Sequence, residues 1–256
     1  QVQLPSGAVS APLIIGADGL HSQLRGALCG PSAPFFTGQV AWRATIAATG
    51  GPDRVQVFMG AGRHLVSYPL RGGMLRNIVA VQERSAWTRE SWSAPADLPR
   101  FAAAFSDFAP VVRGWINAVQ TAGEWGLFRH PIAPVWGRVL PKGAAYILGD
   151  AAHPTLPFLA QGASMALEDG AVLADLLDSD TPDRALARYQ ALRAPRVARI
   201  IAAANANARN YHLAGARKTI AHMGLRTVDA LAPNVMLRRF DWLYGYDATQ
   251  VVNAQP

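Results

Sequence analysis

Two short segments about 130 residues apart share one design: an apolar run closed by glycine and aspartate. The first is Leu13-Ile14-Ile15-Gly16-Ala17-Asp18-Gly19, followed by Ser22 and Arg25. The second is Tyr146-Ile147-Leu148-Gly149-Asp150-Ala151-Ala152-His153-Pro154. Each reads as a buried strand ending in a turn. At the carboxyl edge of an open sheet such turns are where ligands bind. Glycine admits a ligand close to the backbone, and aspartate accepts hydrogen bonds from hydroxyls such as those of a ribose or ribityl chain. One such aspartate alone is more simply read as a cap on the next helix. Two in one chain are harder to assign that way.

The elements around the turns set the fold class. Residues 8–16 read as one short buried strand, and Ser22 to Leu28 as two turns of helix. From Phe36 to Gln82, the runs QVAWRATI, RVQVFMG, HLVSYPL and MLRNIVAVQ form a sheet of about four strands, punctuated by Gly50-Gly51-Pro52 and Gly72-Gly73. A connector from Trp87 to Pro99 precedes two predicted helices, 97–108 and 110–121. A buried strand at 144–149 leads to a helix at 161–178 with an apolar face that includes Ala163, Val172 and Leu176. Helix resumes from 182 to about 231, with Pro195 marking a kink or break. This is an α/β chain of mixed α+β character. Its expected parts are a nucleotide-binding portion (1–30 and 144–180), an inserted sheet domain (31–143) and a C-terminal helical region (181–256).

Composition removes several classes. Half of the 256 residues are hydrophobic and 16% are charged, so the chain can bury a core. The longest uncharged runs, 26–42 and 151–167, are interrupted by Gly, Pro and Gln and cannot span a bilayer. No signal peptide is legible and Cys29 stands alone, which excludes an internal disulfide framework and favours the cytoplasm. The histidines show no metal-ligand spacing, and Gly162-Ala-Ser164-Met-Ala166 lacks the second glycine of a nucleophile elbow. The net charge of +7 is concentrated: Pro182 to Phe240 holds 11 Lys/Arg against 2 acids. Without interleaved aromatic residues, that stretch reads as a solvated helix face rather than a nucleic-acid surface.

The motifs carry a resemblance. GADGLHSQLR (Gly16 to Arg25) is similar to the DG motif of single-component flavoprotein aromatic hydroxylases. GDAAHPTLPFLAQGASMALEDGAVLADLL (Gly149 to Leu177) resembles their GD motif and the helix after it, with salicylate hydroxylase and 3-hydroxybenzoate 6-hydroxylase-like enzymes nearest in look. RYQALRAPRVARI (Arg188 to Ile200) resembles the family's arginine-bearing helix, and the sheet and helices between the motifs match its substrate domain. The family also carries a leading G-x-G-x-x-G unit for the FAD pyrophosphate, and no such string occurs here. By family proportions roughly 110–130 residues would precede this chain.

The resemblance implies FAD as cofactor, NADH or NADPH as co-substrate, and O2 with a small aromatic substrate as reactants. Hydride would pass to FAD, O2 would be captured as a C4a-hydroperoxyflavin, and a phenolic or aromatic acid would be hydroxylated. Asp150 would bind the ribityl chain; Asp18, Gly19 and Arg25 would lie near the pyrophosphate. Gly149 would form the turn, Pro157 would face the substrate side of the ring, and the amides of Gln161, Gly162 and Ala163 would face the flavin's anionic edge. His153 and Pro154 would shape the turn. Glu168 and Asp169, mid-helix, read as packing or surface features.

A phenol reacts better as its phenolate, so a base near neutral pH is useful, and histidine suits it. His64 and Tyr68, four apart on a predicted strand, share a face and resemble a pocket-lining pair of 3-hydroxybenzoate and 6-hydroxynicotinate hydroxylases. An amphipathic strand with two half-buried polar aromatics is the plainer reading. Arg43 and Arg63 are candidates for a substrate carboxylate. The alternative function is a non-catalytic remnant or subunit that holds FAD weakly or not at all. The sequence leaves a homodimer open.

Overall fold

In chain order the elements are β1 (Val2–Leu4), β2 (Gly7–Val9), β3 (Leu13–Gly16), α1 (Gln23–Cys29), β4 (Phe35–Ala47), β5 (Gln56–Gly60), β6 (Arg63–Leu70) and β7 (Leu75–Glu83). There follow α2 (Leu98–Ala104), α3 (Pro110–Asn117), β8 (Ala122–Arg129), β9 (Gly137–Leu140), β10 (Gly143–Ile147) and α4 (Gly162–Ser179). The chain closes with α5 (Pro182–Tyr211), α6 (Gly215–Leu231), α7 (Pro233–Arg238), α8 (Asp241–Tyr244) and α9 (Ala248–Val251). This is a computed structural model, and it describes residues 2–4, 6–48, 52–87 and 95–252. The expected turn at Gly50-Gly51 and most of the connector after Trp87 lie outside the described residues.

Contacts divide the chain into two compact units. One comprises Gln1–Phe35, Arg129–Ala206 and Asn234–Pro256; the other comprises Phe36–Phe128 and Asn207–Pro233. The expected domain edge at 143/144 thus falls at 128/129. The reason is β9, a short strand that its own sequence does not announce, which pairs antiparallel with β10. The C-terminal helices likewise do not form a region of their own, because the division falls within α5.

The first unit holds a three-stranded sheet in the order β3-β10-β9, with β3 and β10 parallel. The expected strand over residues 8–16 is two strands separated at Pro12, which has no N–H to give a ladder. β3 is also more open than its apolar sequence suggests, with Leu13 and Ile15 exposed. Helix α5 runs unbroken through Pro195. Pro195 and Ala191 are both exposed, so the carbonyl that loses its N–H partner can be satisfied by water. Tyr189 of α5 is fully buried and donates its hydroxyl hydrogen to the Ile147 carbonyl, which seats the helix on β10.

The second unit is an antiparallel sheet in the order β5-β6-β7-β4-β8, with α2 and α3 contributing to its core. The predicted four strands are all present, and β8 is a fifth that its glycine-interrupted sequence conceals. One face packs Trp42, Ala44, Ile46, Leu65, Ile78 and Ala80 against Phe101, Phe105, Val112 and Ile116. Trp42 stacks on Phe101 at 5.2 Å between centroids and meets Phe105 edge-on at 5.9 Å. The opposite face, by alternation, carries His64, Val66 and Tyr68 of β6. Among the described residues no helix is long and apolar enough to cross a membrane.

Because Trp42 is enclosed by two aromatic rings and a rigid sheet, its site cannot collapse on truncation. Trp42→Ala should therefore destabilise the second unit by about 3–5 kcal/mol, read as a lowered denaturant midpoint with an unchanged slope.

Candidate functional site

The parallel pairing of β3 with β10 places Tyr146 opposite Ile15 and Ile147 opposite Gly16, and Leu148 N–H donates to the Gly16 carbonyl at 3.1 Å. Both glycine–aspartate turns therefore leave the sheet side by side at its carboxyl edge. The two aspartates then differ. Asp18 accepts from the Ser22 hydroxyl at 2.6 Å and from the backbone N–H groups of Gln23 at 2.8 Å and Leu24 at 3.4 Å. Partial burial pushes its carboxyl up, but these donors, Ser22 foremost, outweigh that and hold it below the usual range. Asp18 is thus committed to the start of α1, as the capping reading has it. Asp150 makes no hydrogen bond among the described residues, and its side chain is open to solvent. The protein packed around its base pushes its carboxyl up, with His153 opposing.

The second turn is built with unusual care. Gly149 has φ +59°, and a Cβ there would lie 3.0 Å from the Ala166 methyl, so only glycine fits. Asp169, about two turns into α4 and 0% exposed, accepts from Gly149 N–H at 2.9 Å, from His153 Nε2 at 2.5 Å and from Arg193 Nε at 2.8 Å. Burial pushes this carboxyl up, yet His153 and Arg193 more than compensate and hold it ionised below the usual range. Arg193, also 0% exposed, reaches Glu168 at 2.7 Å, and Arg196 grips Glu168 with two nitrogens at 2.7 and 2.8 Å. The arginine-rich segment is therefore not simply a solvated face: Arg193 and Arg196 neutralise Glu168 and Asp169 of α4.

Arg25 is buried and donates to the carbonyls of Ala151, Ala152 and Pro131 at 3.1, 3.1 and 2.8 Å. It ties α1 to the second turn across more than a hundred residues of sequence. Beyond the turn, Pro157–Leu159 make a single 3₁₀ turn, and Pro157 accepts from Ala160 N–H at 3.2 Å. Ala160 is left-handed at φ +53°, a strained conformation for a residue with a Cβ. Gln161 is buried, and its carbonyl accepts from Met165 N–H as α4 begins. No side chain caps α4 and no acid lies in its first turn. The amides at Gly162 and Ala163 thus present uncancelled positive dipole.

In the second unit His64 is 1% exposed. Its Nδ1 lies 2.7 Å from His212 Nε2, and His212 Nδ1 lies 2.8 Å from Glu83 Oε1. Burial, then the neighbouring His212, pulls the His64 imidazole down to about 3. Tyr68 is half-buried on the same face, opposite Asn77 in the register. Arg43 is exposed on that face and bonds Asn77 Oδ1 at 3.4 Å, while the buried Asn77 Nδ2 has no partner among the described residues. Arg63 points to the opposite face, paired with Asp107 at 2.6 Å. Of the two candidate arginines, only Arg43 shares a face with His64 and Tyr68.

The residues that sequence reasoning undervalued are Asp169, Arg193, Glu83 and His212. The arginine-bearing helix hinted at Arg193. Nothing local marks Glu83 or His212, which are 129 residues apart.

The chain belongs to a family of FAD-binding domains, whose family model, described as "FAD binding domain", matches residues 5–204. It is 36% identical over 250 residues to 3-amino-4-hydroxybenzoate 2-monooxygenase PtnB3 of Streptomyces platensis, covering 94% of this chain and 60% of that one. It is 31% identical to 3-hydroxybenzoate 6-hydroxylase of Klebsiella oxytoca, covering 96% of this chain and 62% of that one. The chain thus spans about three-fifths of the length of these relatives. Among solved structures, a salicylate hydroxylase substrate complex superposes with a TM-score of 0.81 at 22% identity, covering 98% of this chain and 66% of that one; this likeness shows the fold. CtdE in complex with FAD and its substrate superposes with a TM-score of 0.74 at 25% identity, over 94% of this chain and 61% of that one.

Two outcomes follow from the buried charges. Asp169→Ala leaves His153 and Arg193 without their shared acceptor and should cost about 3–5 kcal/mol by chemical denaturation. His64 binds a proton less readily folded than unfolded, so its contribution is complete above about pH 6.5 and lost as pH falls from there toward 3. Melting temperature should decline over that interval, and His64→Gln should make the decline shallower.

Proposed function

We propose that the protein carrying this chain is an FAD-dependent monooxygenase that hydroxylates a phenolic aromatic acid using NAD(P)H and O2. The observation that carries the reading is the shared sheet edge, where one aspartate is spent on a helix cap and the other, Asp150, is left open. The residues present fit the cofactor. An exposed carboxylate without a hydrogen-bond partner among the described residues suits a ribityl hydroxyl. The uncapped start of α4, entered through a strained Ala160, suits the electron-rich edge of a flavin.

In this reading Asp150 and the amides of Gln161, Gly162 and Ala163 hold the flavin half of FAD, with Gly149 and Pro157 shaping the loop. Asp18, Gly19 and Arg25 act on the other side of the edge: Asp18 fixes the first turn through α1, and Arg25 fixes the second through its carbonyls. When bound, FAD supplies the hydride acceptor for NAD(P)H and the place where O2 is activated. The sheet face of the second unit that carries Arg43, Tyr68 and His64 supplies the substrate contacts. Arg43 pairs with the carboxylate, Tyr68 and Asn77 offer hydrogen bonds to ring substituents, and His64 accepts the phenol proton. A phenolate pushes electron density into the ring, which is what an electrophilic oxygen requires. The relatives named above act on hydroxybenzoates according to their names, and an arginine on the same sheet face as a buried imidazole supports the same substrate class.

FAD titration of the purified protein tests the cofactor half. Flavin should bind and quench, and Asp150→Ala should weaken it at least about tenfold, the scale of one lost charged hydrogen bond. A protein that stays colourless with excess FAD would instead be a non-catalytic subunit. On the substrate side, Arg43→Ala should raise KM for a hydroxybenzoate about ten- to a hundredfold and leave flavin content unchanged. An unchanged KM would remove Arg43 from the site.

A further inference from the structure

The stretch from Phe240 to Val252 is fastened to the first unit by arginines of α5. Arg188 donates to the Val252 carbonyl at 2.7 Å, and Arg196 donates to the carbonyls of Trp242 and Leu243, both at 3.0 Å. The Arg199 guanidinium lies 3.8 Å from the centre of the Trp242 ring. Leu243 and Val252 are buried in the same core as Tyr146 of β10 and Val172 of α4.

Tyr246 makes a different kind of contact. Its ring centre lies 3.7 Å from the Arg196 guanidinium, and its hydroxyl oxygen accepts from Arg193 Nη1 at 3.3 Å. Arg193 spends its other bonds inside α4: Nε on Asp169 at 2.8 Å, Nη1 also on Glu168 at 2.7 Å, and Nη2 on the Met165 carbonyl at 3.3 Å. Tyr246 is half-buried, whereas Arg193 behind it is 0% exposed. The tyrosine thus covers the side of the ion network that the segment closes.

Water weakens an ion pair by screening it and by competing for its hydrogen bonds. Opening the network at Arg193 therefore loosens Asp169, the acceptor that holds the Gly149 N–H, and Gly149 leads directly into Asp150. We infer that Tyr246 is a positioning residue for the cofactor loop: by covering Arg193 it keeps Asp169 fastened to the Gly149 turn, and so keeps Asp150 in place for the ribityl chain. The inference rests on reading Asp150 as the ribityl contact. It gives a task to a residue 53 positions beyond Arg193 in the chain, in a segment with no glycine–aspartate turn of its own.

The test uses the full-length protein, stripped of flavin and titrated with FAD, with amide exchange read residue by residue. Tyr246→Ala should weaken FAD binding about three- to tenfold and speed exchange of the Gly149 amide by a similar factor, the range in which a residue acting through a neighbour tunes a site. The Leu148 amide, bonded to the Gly16 carbonyl, should keep its protection and report that the sheet is intact. Tyr246→Phe keeps the covering ring and should match the unmodified protein in both readouts. Arg199→Ala frees Trp242 without touching Arg193, and it too should leave both unchanged. Should Tyr246→Ala fail to fold, Tyr246→Gln keeps bulk while admitting water and should show the same losses. If Tyr246→Ala binds FAD normally while Asp150→Ala does not, the positioning role is wrong and the flavin reading stands. Equal losses in Arg199→Ala and Tyr246→Ala would also overturn it, since the segment would then act only as general support. If Asp150→Ala binds FAD normally, the flavin reading falls and the inference with it.

Discussion

Asp169 is the constraint on which the carboxyl edge of the first unit's sheet depends. A carboxylate without solvent contact is costly unless every lone pair is used and its charge is met. Here it is met by Arg193, and its remaining capacity is divided between the Gly149 amide and His153. Those partners come from α5 and the two ends of the turn after β10, and Asp169 itself from α4. Replacing such a cluster with apolar residues could leave stability unchanged, but it would remove the directional bonds that hold a left-handed Gly149 in place. The ion pair is therefore better understood as fixing the turn's shape than as adding to the depth of the fold.

That constraint explains why the two turns satisfy their polar groups differently. A loop at a strand end normally satisfies its own polar groups with its own side chains, as Asp18 does at α1. In the second turn the work is taken over from behind by Asp169 and from the side by Arg25, and Asp150 has no hydrogen-bond partner among the described residues. The turn therefore presents an exposed acceptor without a partner among the described residues, close to a helix start that no side chain caps.

How much of this could be read in the sequence follows the range of each interaction. The glycine–aspartate turns, the four main strands and α4 are local patterns with clear periods, and they appear where expected. β8 and β9 were hidden because glycine interrupts one and the other is only four residues long. Asp18 and Asp150 look alike in sequence, and only their partners distinguish them. Asp169 reads as a mid-helix acid until the register of β10 brings Gly149 to it, and Arg63 seemed equivalent to Arg43 until the sheet put them on opposite faces. Pairings across 24 to 129 residues leave no local signature.

Two of the buried histidines, His153 and His64, show the same logic with different results. His153 meets a carboxylate directly, but that carboxylate is enclosed and already shared with Arg193, so a proton arriving there has nowhere to go. The contact orients a ring against Trp136, at 5.0 Å between centroids, and stops there. His64 meets its carboxylate only through a second imidazole, and that carboxylate stands in water. A direct, enclosed histidine–carboxylate pair locks geometry. An indirect one ends at the surface, so its inner imidazole stays buried while its carboxylate stays in solvent.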